Sequence, residues 1–178
     1  MHFAADVINS GGIIAYPTEA VWGLGCHVDN AEGVDRILQL KQRSVSRGLI
    51  LVAADIQQFA PYLKEIEPAL IQKMQASWPG PTTWLVPNNF LAPAWISGDH
   101  NTLALRVSAH PFVAALCRRV GGAIVSTSAN PQAKIAARTA QQVRQYFPQG
   151  LDHISAGKIS GDNKPSQIKN LLTDEIIR

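Results

Sequence analysis

Thr102-Leu103-Ala104-Leu105-Arg106-Val107 is the stretch whose reading sets the fold. It alternates cleanly, so Leu103, Leu105 and Val107 share one face of a strand, and Thr102, Ala104 and Arg106 share the other. Pro111 then stands at the favoured first position of a helix running to about Val120, and Gly121-Gly122 ends it. Ala123 to Ser126 is the next strand. Strand, helix and strand thus follow one another within a short span, which is the beginning of an α/β arrangement.

The pattern extends in both directions. Gly12 to Tyr16 reads as a strand that Pro17 cuts off. Asn30 caps a helix from Ala31 to about Lys41, with Val34, Ile37 and Leu38 as its apolar stripe. Gly48 to Ala53 is a continuous apolar run, the mark of a buried strand. Helical patterns cover Asp55 to Leu63 and Pro68 to Ala76. Trp78-Pro79-Gly80-Pro81 is a turn or rigid loop, and Thr82 to Val86 a strand. Thr139 caps a helix reaching Phe147, and Asp152 to Ser155 and Gln167 to Leu172 are short strand candidates. Helices and strands mix without a strict rhythm, which predicts an α/β fold with a mixed, twisted sheet. No repeat or long linker intervenes, so residues 1–178 are expected to form one domain.

Bulk properties narrow the class. The 178 residues are 46% apolar and 16% charged, which suits a packed core and excludes a disordered chain. No apolar run approaches the roughly 20 residues that cross a bilayer. The N-terminal residues carry no signal-peptide pattern. Cys26 and Cys117 stand far apart without CxxC partners, which excludes a disulfide framework or zinc site and suits a reducing cytoplasm. A net charge of +3 and a pI near 9.0 permit nucleotide or nucleic-acid binding without requiring it.

Several groups of residues bear chemistry. Lys41 continues the stripe of Val34 at i+7, so it leans toward the core and must snorkel or face a polar pocket. Arg43 cannot share that face in a regular helix, and Lys41, Arg43 and Arg47 converge only if the chain curls off the helix end. Taken alone, they are accounted for by an ordinary solvated helix end, where cations favour the dipole. Strand alternation places Thr102 with Arg106, and Ser126 with Ser128. Ser126, Ser128 and Asn130 offer compact donors and acceptors for a phosphate, carboxylate or base edge, or simply form a turn. Gly23-Leu24-Gly25 allows a tight turn and close ligand approach after Pro17-Thr18-Glu19, but lacks the third glycine of a dinucleotide fingerprint. Cys26 reads as packing and His27 as a loop residue. Trp22, Trp78, Trp84 and Trp95 lie among apolar or Pro-rich neighbours and read as core or pocket wall rather than as a stacking platform for bases.

Six segments in register resemble one family. They are Pro17-Thr18-Glu19-Ala20-Val21-Trp22-Gly23-Leu24, Lys41-Gln42-Arg43, Trp78-Pro79-Gly80-Pro81-Thr82, Leu105-Arg106-Val107 with His110-Pro111, Ser126-Thr127-Ser128-Ala129-Asn130, and Pro165-Ser166. Together they are similar to the YrdC/TsaC family of threonylcarbamoyl-AMP synthases, over about Ala5 to Arg178, at the length of its short bacterial form. The resemblance implies a twisted sheet around a positively charged cavity. It implies that L-threonine, bicarbonate or CO2, and ATP give threonylcarbamoyl-AMP and pyrophosphate, with Mg²⁺ arriving on ATP and no metal held by the protein alone. A partner complex would then modify the adenosine beside the anticodon of tRNA.

Position by position, the resemblance assigns Thr18, Arg106 and Ser126 to threonine. It assigns Lys41, Arg43, Arg47, Thr102, Ser128, Asn130 and Ser166 to ATP, with Lys41 and Arg43 catalytic. Three departures stand out: Ser44 replaces the proline after Lys-x-Arg, Pro131-Gln132-Ala133 replaces a Ser-Gly, and Gln167 replaces a threonine. Two other functions stand beside it. One is an RNA-binding module for tRNA or ribosomal RNA without catalysis, which the pI near 9.0 fits. The other is a carbamoyl-group enzyme of another pathway, which the resemblance implies because YrdC-like domains also occur inside larger carbamoyltransferase proteins, and against which the length of the chain argues.

Overall fold

The computed structural model describes residues 2–161 and 166–177. These residues form a mixed sheet of eight strands: β1 (Ile14–Pro17), β2 (Trp22–Gly25), β3 (Ile50–Ala53), β4 (Thr82–Pro87), β5 (Thr102–Val107), β6 (Ile124–Ser128), β7 (His153–Ile154) and β8 (Gln167–Asn170). Their spatial order is β7-β1-β2-β6-β3-β5-β4-β8. Strand β6 runs antiparallel to both of its neighbours, whereas β3 and β5 are parallel. The helices are α1 (His2–Asn9), α2 (Ala31–Lys41), α3 (Pro68–Ser77), α4 (Ala94–Ser97), α5 (Pro111–Val120) and α6 (Ala140–Tyr146). The expected mixed α/β sheet is the observed one.

Local sequence explains most boundaries. Asn30 accepts from the Gly33 amide and caps α2, and Thr139 does the same for α6 through the Gln142 amide. Pro111 opens α5, and Gly121 closes it in the left-handed conformation that lacks a penalty only for glycine. The segment expected as helix from Asp55 is a 3-10 helix, Ile56–Leu63, with Pro61 inside it. Proline donates no amide hydrogen and interrupts the α-helical ladder.

Two segments differ from their reading in sequence. Helix α1 has no capping signal of its own. It forms because Ala4, Ala5 and Ile8 are buried against Val113, Leu116 and Cys117 of α5. Gly23-Leu24-Gly25 is not a tight turn but part of strand β2, paired to β1 from Tyr16↔Gly23 to Ile14↔Gly25. Its glycines are required because the Tyr16 side chain lies across the strand. A Cβ at Gly25 would come within 3.0 Å of Tyr16 Cε1 and 2.4 Å of the Val125 carbonyl oxygen.

The sheet has a core on each face. Leu51, Ala53, Leu103, Leu105, Val107 and Val125 point to the larger one, with Trp22, Phe59, Trp78 and Trp84. Ile14, Tyr16, Val52 and Ile124 meet α1 and α5 on the other. Three tryptophans are therefore buried and Trp95 packs against the same core, as expected of structural rings. Both cysteines are buried and unpaired, and burial pushes each thiol up to about 12. Among the described residues, no helix is long and apolar enough to cross a membrane.

Candidate active site

A cavity of about 700 Å³ opens on the α5 face of the sheet, beyond the end of that helix. The alternation of β5 sends Thr102, Ala104 and Arg106 into it, and that of β6 sends Ser126 and Ser128. Thr18 enters from the β1–β2 connection. Arg43 and Arg47 enter from the segment after α2, and Ser166 from the residue before β8. Eight of the ten residues selected from sequence thus line one cavity. Lys41 and Asn130 do not; they lie behind Ser128. Pro165 lies outside the described residues.

One wall is built around a buried ion pair. Arg106 Nη2 lies 2.8 Å from Glu19 Oε1, with side chains 12% and 9% exposed. The same oxygen accepts from the Ser108 hydroxyl at 2.8 Å and from the amides of Ala109 and His110 at 3.0 and 3.2 Å. Burial acts to raise the Glu19 carboxyl, but the Arg106 guanidinium and these donors outweigh it and hold the group below its ordinary value. Arg106 Nε also donates to the Gly80 carbonyl at 3.1 Å, so the guanidinium plane is fixed from two sides. The Tyr16 hydroxyl donates to Ser126 Oγ at 2.7 Å. Burial raises the Tyr16 hydroxyl far above its ordinary range, so it stays a neutral donor. The Thr18 hydroxyl donates to the Val21 carbonyl at 2.6 Å, leaving its oxygen lone pairs to accept.

The other wall carries cations. Gln42 closes α2 in the left-handed conformation, and this turn swings Arg43 off the helix face. Arg43 Nη2 then donates to the carbonyls of Arg47 and Gly48 at 3.3 and 3.0 Å. The 3-10 turn Val45–Arg47 is braced against α4: the Asp99 amide reaches the Ser46 carbonyl and the Leu49 amide reaches the Ile96 carbonyl. Gly48 and Gly98 face each other at positive φ in this contact, where a Cβ on either would meet backbone within 3 Å. Ser44 has φ −64, the value a proline ring imposes, so the departure there leaves the backbone path intact. Its hydroxyl instead caps the turn through the Ser46 amide. Ser166 is buried and accepts from the Thr83 hydroxyl at 3.1 Å.

Sequence reasoning left Glu19, Tyr16, Ser97 and His100 without roles, though all but Tyr16 line the cavity. Glu19 carried a usable signal: a carboxylate directly after a strand, between a proline and two glycines. Its partner Arg106 lies too far along the chain for spacing to reveal the pair.

Among known proteins, the Sua5/YciO/YrdC family model, described as "Telomere recombination", matches residues 6–178. The threonylcarbamoyl-AMP synthase of Cellvibrio japonicus is 48% identical over 178 residues, covering 100% of this chain and 94% of that protein. The synthase of Saccharophagus degradans is 52% identical over 168 residues, 94% of this chain and 88% of that one. The crystal structure of P. abyssi Sua5 complexed with L-threonine superposes with a TM-score of 0.88 at 30% identity, over 95% of this chain and 50% of that one. E. coli YciO shares the fold, with a TM-score of 0.84 at 22% identity over 99% of this chain and 87% of that one. The chain belongs to the Sua5/YciO/YrdC family.

Proposed function

We propose that this protein is a threonylcarbamoyl-AMP synthase whose cavity holds L-threonine against the Arg106 wall and ATP against the Arg43–Arg47 wall. The observation that carries the reading is the division of a single cavity into these two walls. Arg106, held by Glu19 and Gly80, presents a fixed fork suited to a carboxylate. Thr18 and Ser126 stand beside it with hydroxyls sized for a small polar amino acid. Arg43 and Arg47 supply positive charge where a triphosphate would lie, and Thr102, Ser128 and Ser166 offer hydroxyls around it.

The synthase reading implies the chemistry. The threonine amine adds to CO2, supplied as bicarbonate, and loses a proton to give the carbamate. A carbamate oxygen attacks the α-phosphorus of ATP, the bond to the β-phosphoryl oxygen breaks, and pyrophosphate leaves. Such a displacement needs alignment and charge neutralisation rather than a covalent catalyst. Arg43 and Arg47 neutralise the charge, and the apolar lining of Leu49, Ile50, Val52 and Val113 strengthens each electrostatic contact by excluding water.

The described residues contain no group of three His, Cys, Asp or Glu side chains placed to hold a metal ion. Glu19, the one carboxylate among the described residues that line the cavity, already accepts four donors. The donor set therefore suits Mg²⁺ carried on the phosphates of ATP, where it would supply charge neutralisation. The product, an adenylate of threonine carbamate, calls for an acceptor complex acting on tRNA adenosine, and a cytoplasmic setting suits all of these substrates.

The test is pyrophosphate release from ATP and Mg²⁺, with L-threonine and bicarbonate withheld in turn. Release that needs both is the expected result. No release in any combination, with RNA still bound by folded protein, would favour an RNA-binding module instead.

A further inference from the structure

Lys41 ends the buried stripe of α2 and is 5% exposed. It is not among the residues that line the cavity; its ammonium reaches the turn that follows β6. It donates to the Ser128 carbonyl at 2.5 Å, the Asn130 carbonyl at 2.9 Å and Asn130 Oδ1 at 3.2 Å. All three ammonium hydrogens are thereby accounted for. The main chain adds another tie, the Gln132 amide donating to the Lys41 carbonyl at 2.9 Å. Asn130 passes the order onward. Its Oδ1 accepts the Ser128 hydroxyl at 2.6 Å, and its Nδ2 donates to the Lys134 carbonyl at 2.8 Å. Ser128 is the member of this network that faces the cavity.

A buried cation without a buried anion is costly, several kcal/mol in most settings. The described residues give Lys41 no ion pair, and its charged neighbours are the cations Arg43 and Arg47. An apolar side chain would fit this stripe at less cost. What an apolar side chain would not do is draw three oxygens of one turn to a single point.

We propose that Lys41 is a positioning residue: it gathers the Ser128 and Asn130 oxygens from behind, and so sets the Ser128 hydroxyl toward the nucleotide, while Arg43 and Arg47 make the phosphate contacts. The nature of the ligand rests on the synthase reading; the ordering of the turn does not. The inference replaces the direct phosphate and catalytic role that resemblance alone gives Lys41.

The test compares wild type with Lys41→Met in two arms. Without ligand, amide hydrogen exchange at Asn130, Gln132 and Lys134 should be at least about tenfold faster in the variant, with β3 and β5 amides unchanged. With AMP, ADP and ATP in turn, calorimetry should show Lys41→Met weakening all three by one common factor. Arg47→Ala should lose more with each added phosphate. A turn whose exchange is unchanged, or a Lys41→Met loss that grows with phosphate number as for Arg47→Ala, would overturn the proposal. Wild type that binds no adenine nucleotide would sink the synthase reading, and the exchange arm alone would then decide Lys41. Should Lys41→Met fail to fold, Lys41→Gln, which keeps an amide donor, carries both arms.

Discussion

The two walls of the cavity handle charge in opposite ways. Around Arg106 the charge is compensated before any ligand arrives: Glu19 pairs with it, and four donors converge on one carboxylate oxygen. Around Arg47 the described residues offer no ion pair, and the side chain is exposed. A wall of the first kind is rigid and contributes to folding; one of the second kind waits for an anion and contributes little until it binds. The difference teaches that a zwitterionic amino acid and a polyanion place different demands on one pocket. Threonine needs a fork held at a fixed angle, whereas a triphosphate needs net positive charge.

That contrast can be broken in several ways. Arg106→Leu would strand the Glu19 carboxylate in a buried site, so urea unfolding at pH 7 should register a loss of about 3–5 kcal/mol. A variant as stable as wild type would mean that something other than Arg106 compensates Glu19. Arg47→Ala should cost about 10²-fold in pyrophosphate release while changing stability by no more than about 0.5 kcal/mol. Strong destabilisation there would erase the distinction between the walls.

Finer changes sharpen it. Ser126→Ala would leave the buried Tyr16 hydroxyl without its acceptor, a loss of about 1–3 kcal/mol. Adding Tyr16→Phe should recover part of that loss, and a double-mutant cycle measures how much.

Lys41 gives the behind-the-wall counterpart. Burial, then Arg43 and Arg47, lower its pKa from 10.5 to about 8. Between those two values the unfolded chain holds the proton and the folded chain has released it. Stability therefore rises with pH across that window, relative to Lys41→Met, because the unfolded state binds more protons there. Paired denaturation curves from pH 7 to 10.5 would show it, and parallel curves would refute it.

The smallest effect concerns Ala133, which adopts the left-handed φ of +62 that favours glycine. Ala133→Gly should stabilise the turn by roughly 0.5–1 kcal/mol, readable as a rise in Tm.

How far sequence carried this reading depends on the range of the interaction concerned. Helix α2, its Asn30 cap and the inward lean of Lys41 were legible, because caps and 3.6-residue periodicity are local. The pairing of Thr102 with Arg106 and of Ser126 with Ser128 followed from strand alternation. Strand β2 was hidden, because its glycines answer to Tyr16 across the hairpin rather than to a turn. Helix α1 was hidden because only its docking on α5 explains it. Glu19 was visible as a residue but not as a partner, since nothing local ties it to β5. Lys41 shows the limit from the other side: its burial was legible, but which carbonyls it would meet was not.

One feature of the sheet bears on how the protein is made. Among the described strands, β2 and β3 share no ladder, and only β6 joins the β7-β1-β2 half to the β3-β5-β4-β8 half. A chain emerging from the ribosome therefore lacks the strand that joins Thr18, on one half, to Arg43 and Arg106, on the other, until residues 124–128 have cleared the exit tunnel. Before that point the two halves are tied through Glu19 and its partners Arg106, Ser108, Ala109 and His110, a contact between side chain and loop rather than a ladder.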